Sequence, residues 1–188
     1  GSEMCIRDSL NDVSKNPKAI TVGNFDGIHK GHQALINKTK EVSTKHNVES
    51  LIFTFNKLPK EIFSPDTVQR LYDNKIKESI LSSYKIDTML SIDFNEIKDY
   101  SADFFCEEIL IKKLNTQYLI IGENFKFGKD RSGDIEKLRK YNSKKAFDLI
   151  VPELETHNGV KISSSRIRDL LNHGDIIEAR ECLGRDYM

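Results

Sequence analysis

His29, Gly31 and His32 lie close together in the string Gly23-Asn-Phe-Asp-Gly-Ile-His-Lys-Gly-His32 of a 188-residue chain. Histidine is the side chain best suited to hydrogen-bond and proton chemistry near neutral pH. The string follows a short apolar run and precedes residues at helical spacing, so a loop turns into a helix near Gly31. A helix N-terminus carries free N–H groups and partial positive charge, both of which favour phosphate. Two imidazoles there could donate to phosphate oxygens while charge builds in a transition state. The string is neither a Walker A loop, which ends GK[ST], nor a GxGxxG turn. A metal site is the alternative, and it needs a third ligand. His46, His157 and His173 stand in no metal-like spacing, and no cysteine is near in sequence. No metal held by the protein is expected.

Lys161-Ile-Ser-Ser-Ser-Arg-Ile-Arg168 is a second candidate. Ser163 or Ser164 can cap the helix that follows. Serine hydroxyls, a helix N-terminus and two arginines make a phosphate cradle, with Arg suited to bidentate contact. Taken alone, the segment reads rather as a capped helix with exposed arginines; paired with the His29–His32 segment, it reads as the cradle. Glycines also cluster, Gly23, Gly27 and Gly31 early and Gly122, Gly128 and Gly133 late. Glycine permits close backbone approach to a ligand, although ordinary turns use it too.

The elements that must position these residues are legible as apolar runs. Strand candidates are Ala19–Gly23, Leu51–Phe55, Thr88–Ile92, Tyr118–Gly122 and Leu149–Pro152. Near-continuous apolar runs suit strands buried on both faces. Between them Gln33–His46, Asn74–Tyr84 and Ala102–Leu114 have helical spacing, the last with Phe104, Phe105, Ile109 and Leu114 mostly on one face. Alternating strands and helices predict an α/β, Rossmann-like doubly wound sheet of about five mainly parallel strands. Helices Ser164–Asn172 and Ile176–Leu183 complete the chain. Ligands of such sheets sit beyond the carboxyl ends of the strands, where the strand order switches. Both glycine clusters fall there.

Lys plus Arg number 29 and Asp plus Glu number 29, so the formal net charge is zero. A nucleic-acid or anionic-membrane binder normally carries a basic excess, so neither partner is expected. Small anions stay open, because His29, Lys30, His32, Lys161, Arg166 and Arg168 can cluster locally. No apolar run approaches the roughly 18 residues of a membrane span. Cys5, Cys106 and Cys182 are too widely spaced for a zinc module or a disulfide framework. A cytoplasmic location is expected. Gly1-Ser2 looks like a cleavage scar, and residues 1–16 read as tag-like or poorly ordered, partly vector or adapter derived. Residues 17–188 read as one domain.

HxGH after a first strand, with a late ISSxxIR-type motif, resembles the HxGH nucleotidyltransferase superfamily. Gly23–Gln33, Ile120–Asp134 (IIGENFKFGKDRSGD), Ile162–Arg168 and Leu183–Tyr187 (LGRDY) resemble, more narrowly, the FMN adenylyltransferase domain of bacterial bifunctional riboflavin kinase/FAD synthetases. The resemblance covers about Ala19 to Tyr187. It implies transfer of AMP from Mg²⁺-bound ATP to FMN, giving FAD and pyrophosphate, by direct in-line attack of the FMN phosphate on the ATP α-phosphate. It implies that His29, His32, Asn124 and Arg168 are catalytic, with His29 and His32 stabilising the reacting phosphate and Asn124 also near the flavin phosphate. Ser164, Ser165 and Arg168 would hold the β- and γ-phosphates, and Gly23, Phe25 and Gly31 would admit ATP to the first turn. Phe63, Phe105 and Phe127 would line the flavin slot, although each could instead be core. A C-terminal riboflavin kinase domain would follow in the full-length protein and is expected to be absent from this chain. Three departures stand out. The family's Pro-His-Pro reads Lys57-Leu58-Pro59, its ISST ends in Ser165, and its LGRPY has Asp186 for proline. Other phosphate acceptors (pantetheine phosphate, nicotinate mononucleotide, glycerol phosphate) and a non-catalytic nucleotide or flavin binder are the alternatives.

Overall fold

The apolar runs assemble into one parallel sheet in the computed structural model, which describes residues 3–66 and 69–187. In chain order its strands are β1 (Cys5–Arg7), β2 (Lys18–Val22), β3 (Glu49–Phe55), β4 (Thr88–Ile92), β5 (Thr116–Ile120) and β6 (Asp148–Ile150). The spatial order is β1-β4-β3-β2-β5-β6. From β2 the chain winds outward through β3 to β4, then crosses back to lay β5 on the other side of β2. The crevice between β2 and β5 is therefore the switch point.

Six strands stand where the sequence predicts about five. Residues 1–16 are expected to be tag-like or poorly ordered, yet Cys5–Arg7 pair in parallel with β4, and Cys5 N–H donates to Asp87 C=O at 2.9 Å. An edge strand offers a row of unpaired backbone groups that any extended segment can fill. All three β1 residues are exposed, so no apolar pattern announces them. Gly1-Ser2 and Met188 lie outside the described residues.

Period-two burial sorts the sheet into two cores. Ile20, Val22, Leu51 and Phe53 face one way, against Phe105, Ile109 and Leu138. Ile52 and Met89 face the other way, against Ile36 and Leu81. The second layer comprises α1 (Lys30–His46) and α3 (Asn74–Ser82), and the first contains α4 (Ala102–Phe104) with its extension and α5 (Ile135–Ser143). Ring or carboxylate caps start most of them. The His29 ring accepts from His32 N–H at 3.3 Å, and Asp73 and Asp134 cap α3 and α5. The expected regular helix over 102–114 opens into wide turns across Phe105–Lys113, where Leu114 N–H reaches Ile109 C=O five residues back. The five-residue step keeps Ile109 and Leu114 on one buried face with Phe105, but Phe104, just before the wide turns, is exposed.

A short helix α2 (Pro59–Phe63), a hairpin of β7 (Thr156–His157) and β8 (Val160–Lys161), and helices α6 (Ser164–Asn172) and α7 (Ile176–Leu183) complete the described chain. The last two match their predicted bounds. No helix among the described residues is long and apolar enough to cross a membrane.

Candidate active site

A cavity of about 840 Å³ opens at the carboxyl ends of β2, β3, β4 and β5. That size lies high in the usual range for ligand sites, about 300–1,000 Å³. Eight of the residues singled out from sequence line it: Gly23, His32, Phe63, Phe105, Asn124, Phe127, Ser164 and Arg168. They come from five separate segments, so only the winding of the sheet brings them together.

The turn after β2 is tightly wound. Phe25, Gly27 and Ile28 all have left-handed backbone, with φ of 51°, 84° and 42°. A non-glycine residue held there costs about 1–3 kcal/mol and persists only where its surroundings over-determine it. At Gly27 a Cβ would stand 2.5 Å from the Leu71 side chain, so the position combines positive φ with close packing. Phe25 is buried and does not line the cavity; its ring meets the His32 edge at 5.2 Å between centroids. It packs against the imidazole from behind. Gly31 is also off the cavity wall. A Cβ there would press within 3.0–3.1 Å of the His29 ring, so its lack of a side chain serves the imidazole pair.

His29 and His32 stack with centroids 3.6 Å apart. His29 is buried behind His32, and Nδ1 of His29 is spent on the His32 N–H cap. Burial first, then the charges of Lys161 and Arg185, push the His29 imidazole down to about 4. Burial also holds His32 well below its ordinary value, helped by His29, Lys77 and Arg185. Both rings are neutral at pH 7. With Nδ1 of His29 an acceptor, its proton resides on Nε2. Nδ1 of His32 is buried without a partner, which leaves Nε2 as the nitrogen able to meet a ligand.

Opposite this turn, Ser163 caps α6 by accepting from Arg166 N–H at 3.2 Å. The Ser164 hydroxyl donates to Asp26 C=O at 2.7 Å, and Arg168 pairs with Asp26 Oδ2 at 2.5 Å. Asp26 thus ties the two sequence-distant motifs together, while its Oδ1 accepts from Leu71 N–H. Ser165 is exposed and away from the cavity. Arg166 turns away as well. It donates to the carbonyls of His157 and Val160 and pairs with Glu178, stapling the hairpin to α7 instead of joining a phosphate cradle.

The apolar half of the cavity is aromatic. Phe127 is buried in the core, stacked on Phe125 and tilted against Phe105, each at 5.5 Å between centroids. Backbone bonds between Phe127 and Gly133 close the loop that carries it, and a Cβ at Gly133 would come within 2.5 Å of the Phe127 ring. Phe105 is likewise core, with one side on the cavity. Phe63 is 66% exposed at the mouth, edge-on to Phe94. Asn124 is exposed on the wall beyond β5.

Asp26 sits in the quoted string, yet its spacing gives no sign of its bridging role. Lys77 is a further residue at the site that the sequence does not mark. That ammonium is buried and donates to Asn24 C=O (2.7 Å), Thr54 Oγ1 (2.6 Å) and Phe55 C=O (3.3 Å), bridging the ends of β2 and β3. Burial, with Arg70 nearby, pushes Lys77 down to about 7 against the pull of Asp26, Glu61 and Glu78. One lysine among many on a helix gives no sequence signal for this. Lys60, Lys98, Lys126, Lys129 and Arg131 add positive charge to the walls. Among the described residues no group of three or more His, Cys, Asp or Glu side chains could hold a metal.

Known proteins are similar in sequence and in fold. The bifunctional riboflavin kinase/FMN adenylyltransferase of Buchnera aphidicola subsp. Schizaphis graminum is 36% identical over 182 residues, which are 95% of this chain and 58% of that protein. The protein of the same name from Escherichia coli K12 is 30% identical over 95% of this chain and 58% of its own length. The chain therefore spans under two thirds of the relatives it matches. A crystal structure described as a macrolide-efflux protein from Streptococcus pneumoniae superposes with a TM-score of 0.82 at 27% identity, over 98% of this chain and 72% of that one. Pantoate-β-alanine ligase from Francisella tularensis shares the fold alone, with a TM-score of 0.58 at 17% identity, over 93% of this chain and 78% of the ligase. The family model described as FAD synthetase matches residues 11–166, from before β2 into α6 and through all of the cavity lining except Arg168, and the chain belongs to the FAD synthetase family.

Proposed function

We propose that residues 17–188 form a unit that transfers AMP from ATP to FMN, giving FAD and pyrophosphate. One observation carries this reading: a single cavity joins neutral imidazole, hydroxyl and guanidinium donors at two helix N-termini to a wall of Phe63, Phe105 and Phe127. The polar end suits a triphosphate, and the aromatic end suits a flat flavin ring. The relatives named above as FMN adenylyltransferases support the same substrate pair.

A phosphate monoester dianion is already a nucleophile. Its oxygen forms the new bond to the α-phosphorus as the bond to the bridging oxygen of the β-phosphate breaks, and pyrophosphate leaves with that electron pair. No covalent enzyme intermediate is involved, so positioning and charge stabilisation carry the catalysis. His32 Nε2–H donates to the α-phosphate oxygens, where charge grows. His29 fixes the backbone and ring of His32. Ser164, Arg168 and the first N–H groups of α6 hold the β- and γ-phosphates, and Asn124 bridges the flavin phosphate and the reacting centre. Gly23 leaves room for the nucleotide beside β2.

Mg²⁺ is expected to arrive on the triphosphate and to neutralise its charge. The donor set suits anions rather than a hard cation, since Asp26 is already shared between Leu71 N–H and Arg168. Incubation with Mg-ATP and a panel of phosphate acceptors tests the proposal. FMN should be adenylylated while pantetheine phosphate, nicotinate mononucleotide and glycerol phosphate are not. Turnover of another acceptor without FAD would overturn it.

A further inference from the structure

Leu183–Tyr187 lies beyond the family match to residues 11–166, yet it wraps back onto the turn that carries the imidazoles. Two nitrogens of the Arg185 guanidinium donate to Gly27 C=O (2.8 Å) and Ile28 C=O (2.7 Å). Those residues immediately precede His29, and both have left-handed backbone. Gln33, on the first turn of α1, donates from one amide nitrogen to Ile28 C=O (2.9 Å) and to Leu183 C=O (2.7 Å). Farther along, the Tyr187 hydroxyl donates to Leu71 C=O at 2.9 Å, and Leu71 N–H donates to Asp26. Tyr187 stacks on Tyr72, over which the Arg185 guanidinium sits 5.9 Å from the ring centre.

We propose that Leu183–Tyr187 is a strap over the active-site turn and that Arg185 is a positioning residue for the His29–His32 pair. The rigid, planar guanidinium of Arg185 reaches both carbonyls with two nitrogens of one fork, a geometry that the point charge of a lysine ammonium does not reproduce. Buried carbonyls need partners, and regular pairing does not reach these two. Any shift of the Ile28 carbonyl is handed directly to His29, the cap of α1, and through its ring to His32. Arg185 also sets a positive charge behind both rings.

The kinetic half of the test rests on the adenylyl-transfer reading; the spectroscopic half does not. The C2–H resonance of His29 is titrated by NMR in the wild type, Arg185→Gln and Arg185→Lys. Lys161 from the hairpin, His32 from α1 and Lys77 from α3 also face the pair and stay in place. Arg185→Gln should raise the His29 midpoint, because a positive neighbour is lost. It should also lower kcat by about tenfold to a hundredfold, the scale of a small misplacement at a reacting centre, with less change in KM. Arg185→Lys keeps the charge but not the fork, so its midpoint should stay while kcat falls. A midpoint unmoved in Arg185→Gln, or wild-type kcat per folded molecule in either variant, overturns the strap. If Arg185→Gln does not fold, kcat of Arg185→Lys decides. If the wild type makes no FAD, the adenylyl reading fails and the titration alone decides the strap.

Discussion

His32 meets the stacked His29 imidazole on one face and the Phe25 ring edge-on. Burial first, then the charges nearby, keep the ring neutral, and a neutral imidazole still donates one strong hydrogen bond. Donors aimed at developing charge in a water-poor site are worth more than in solution. His32→Ala should therefore lower kcat by about 10²–10³-fold, measured by pyrophosphate release under saturating ATP and FMN. An unchanged rate would remove the ring from the chemistry. His32→Gln, which keeps an N–H donor, should lie between the two. HxGH spacing suggests two equivalent imidazoles, and the fold makes them unequal. His29 gives Nδ1 to a helix cap and stands behind; His32 fronts the cavity.

Among the elements, the loop 124–133 and the short helix α2 carry the two candidate flavin-facing rings that differ most. Phe127 is seated among Phe105, Phe125 and Gly133, so its truncation leaves a cavity in the core. Phe127→Ala should cost about 3–5 kcal/mol in urea unfolding. Phe63 lies at the mouth with most of its surface free. Phe63→Ala should leave stability within about 0.5 kcal/mol but raise KM for FMN by about two- to tenfold, the worth of one aromatic contact. Equal effects on ATP and FMN would show that Phe63 acts through general disorder of the mouth. Both rings were legible as flavin candidates, but which one belongs to the core was not. Local spacing gives the direction of a side chain only relative to its own element. Phe104, on the regular turn before the wide turns at 105–113, faces outward against Tyr100 instead of joining that core face.

For the whole molecule, the buried imidazole pair predicts sensitivity to mild acid. Above about pH 6.5 His29 is neutral in the folded and the unfolded chain, and its contribution is complete. As the pH falls from 6.5 towards 4, the unfolded chain binds a proton that the folded protein refuses. Stability is lost across that window, on the order of 3 kcal/mol at about 1.4 kcal/mol per pH unit. His32 adds loss in the same direction. Lys77 titrates near 7 folded and near its ordinary 10.5 unfolded, so its effect lies on the alkaline side. Thermal melts at about pH 7.5, 6 and 5 should show a falling Tm. A flat profile would mean that the pair is hydrated. The net charge of zero conceals the site, since the cations of the cavity walls outnumber Asp26, Asp99 and Asp130 there and are balanced by acids elsewhere in the chain.

The sequence by itself determined the parallel α/β class, five of the strands, both helix N-termini and the two segments that meet at the cavity. Apolar periodicity and capping residues act over a few positions, so a linear reading captures them. Tertiary structure decided which residues of those segments reach the cavity. Phe25 and Gly31 lie behind the imidazoles, Ser165 faces away, and Arg166 staples a hairpin. It also decided the long-range partners: Asp26 between the motifs, Lys77 beneath the turn, Arg185 across it, and β1 on an edge no apolar pattern marked. Each of these depends on which strands become neighbours, a choice made by burial of the whole sheet rather than by any one segment.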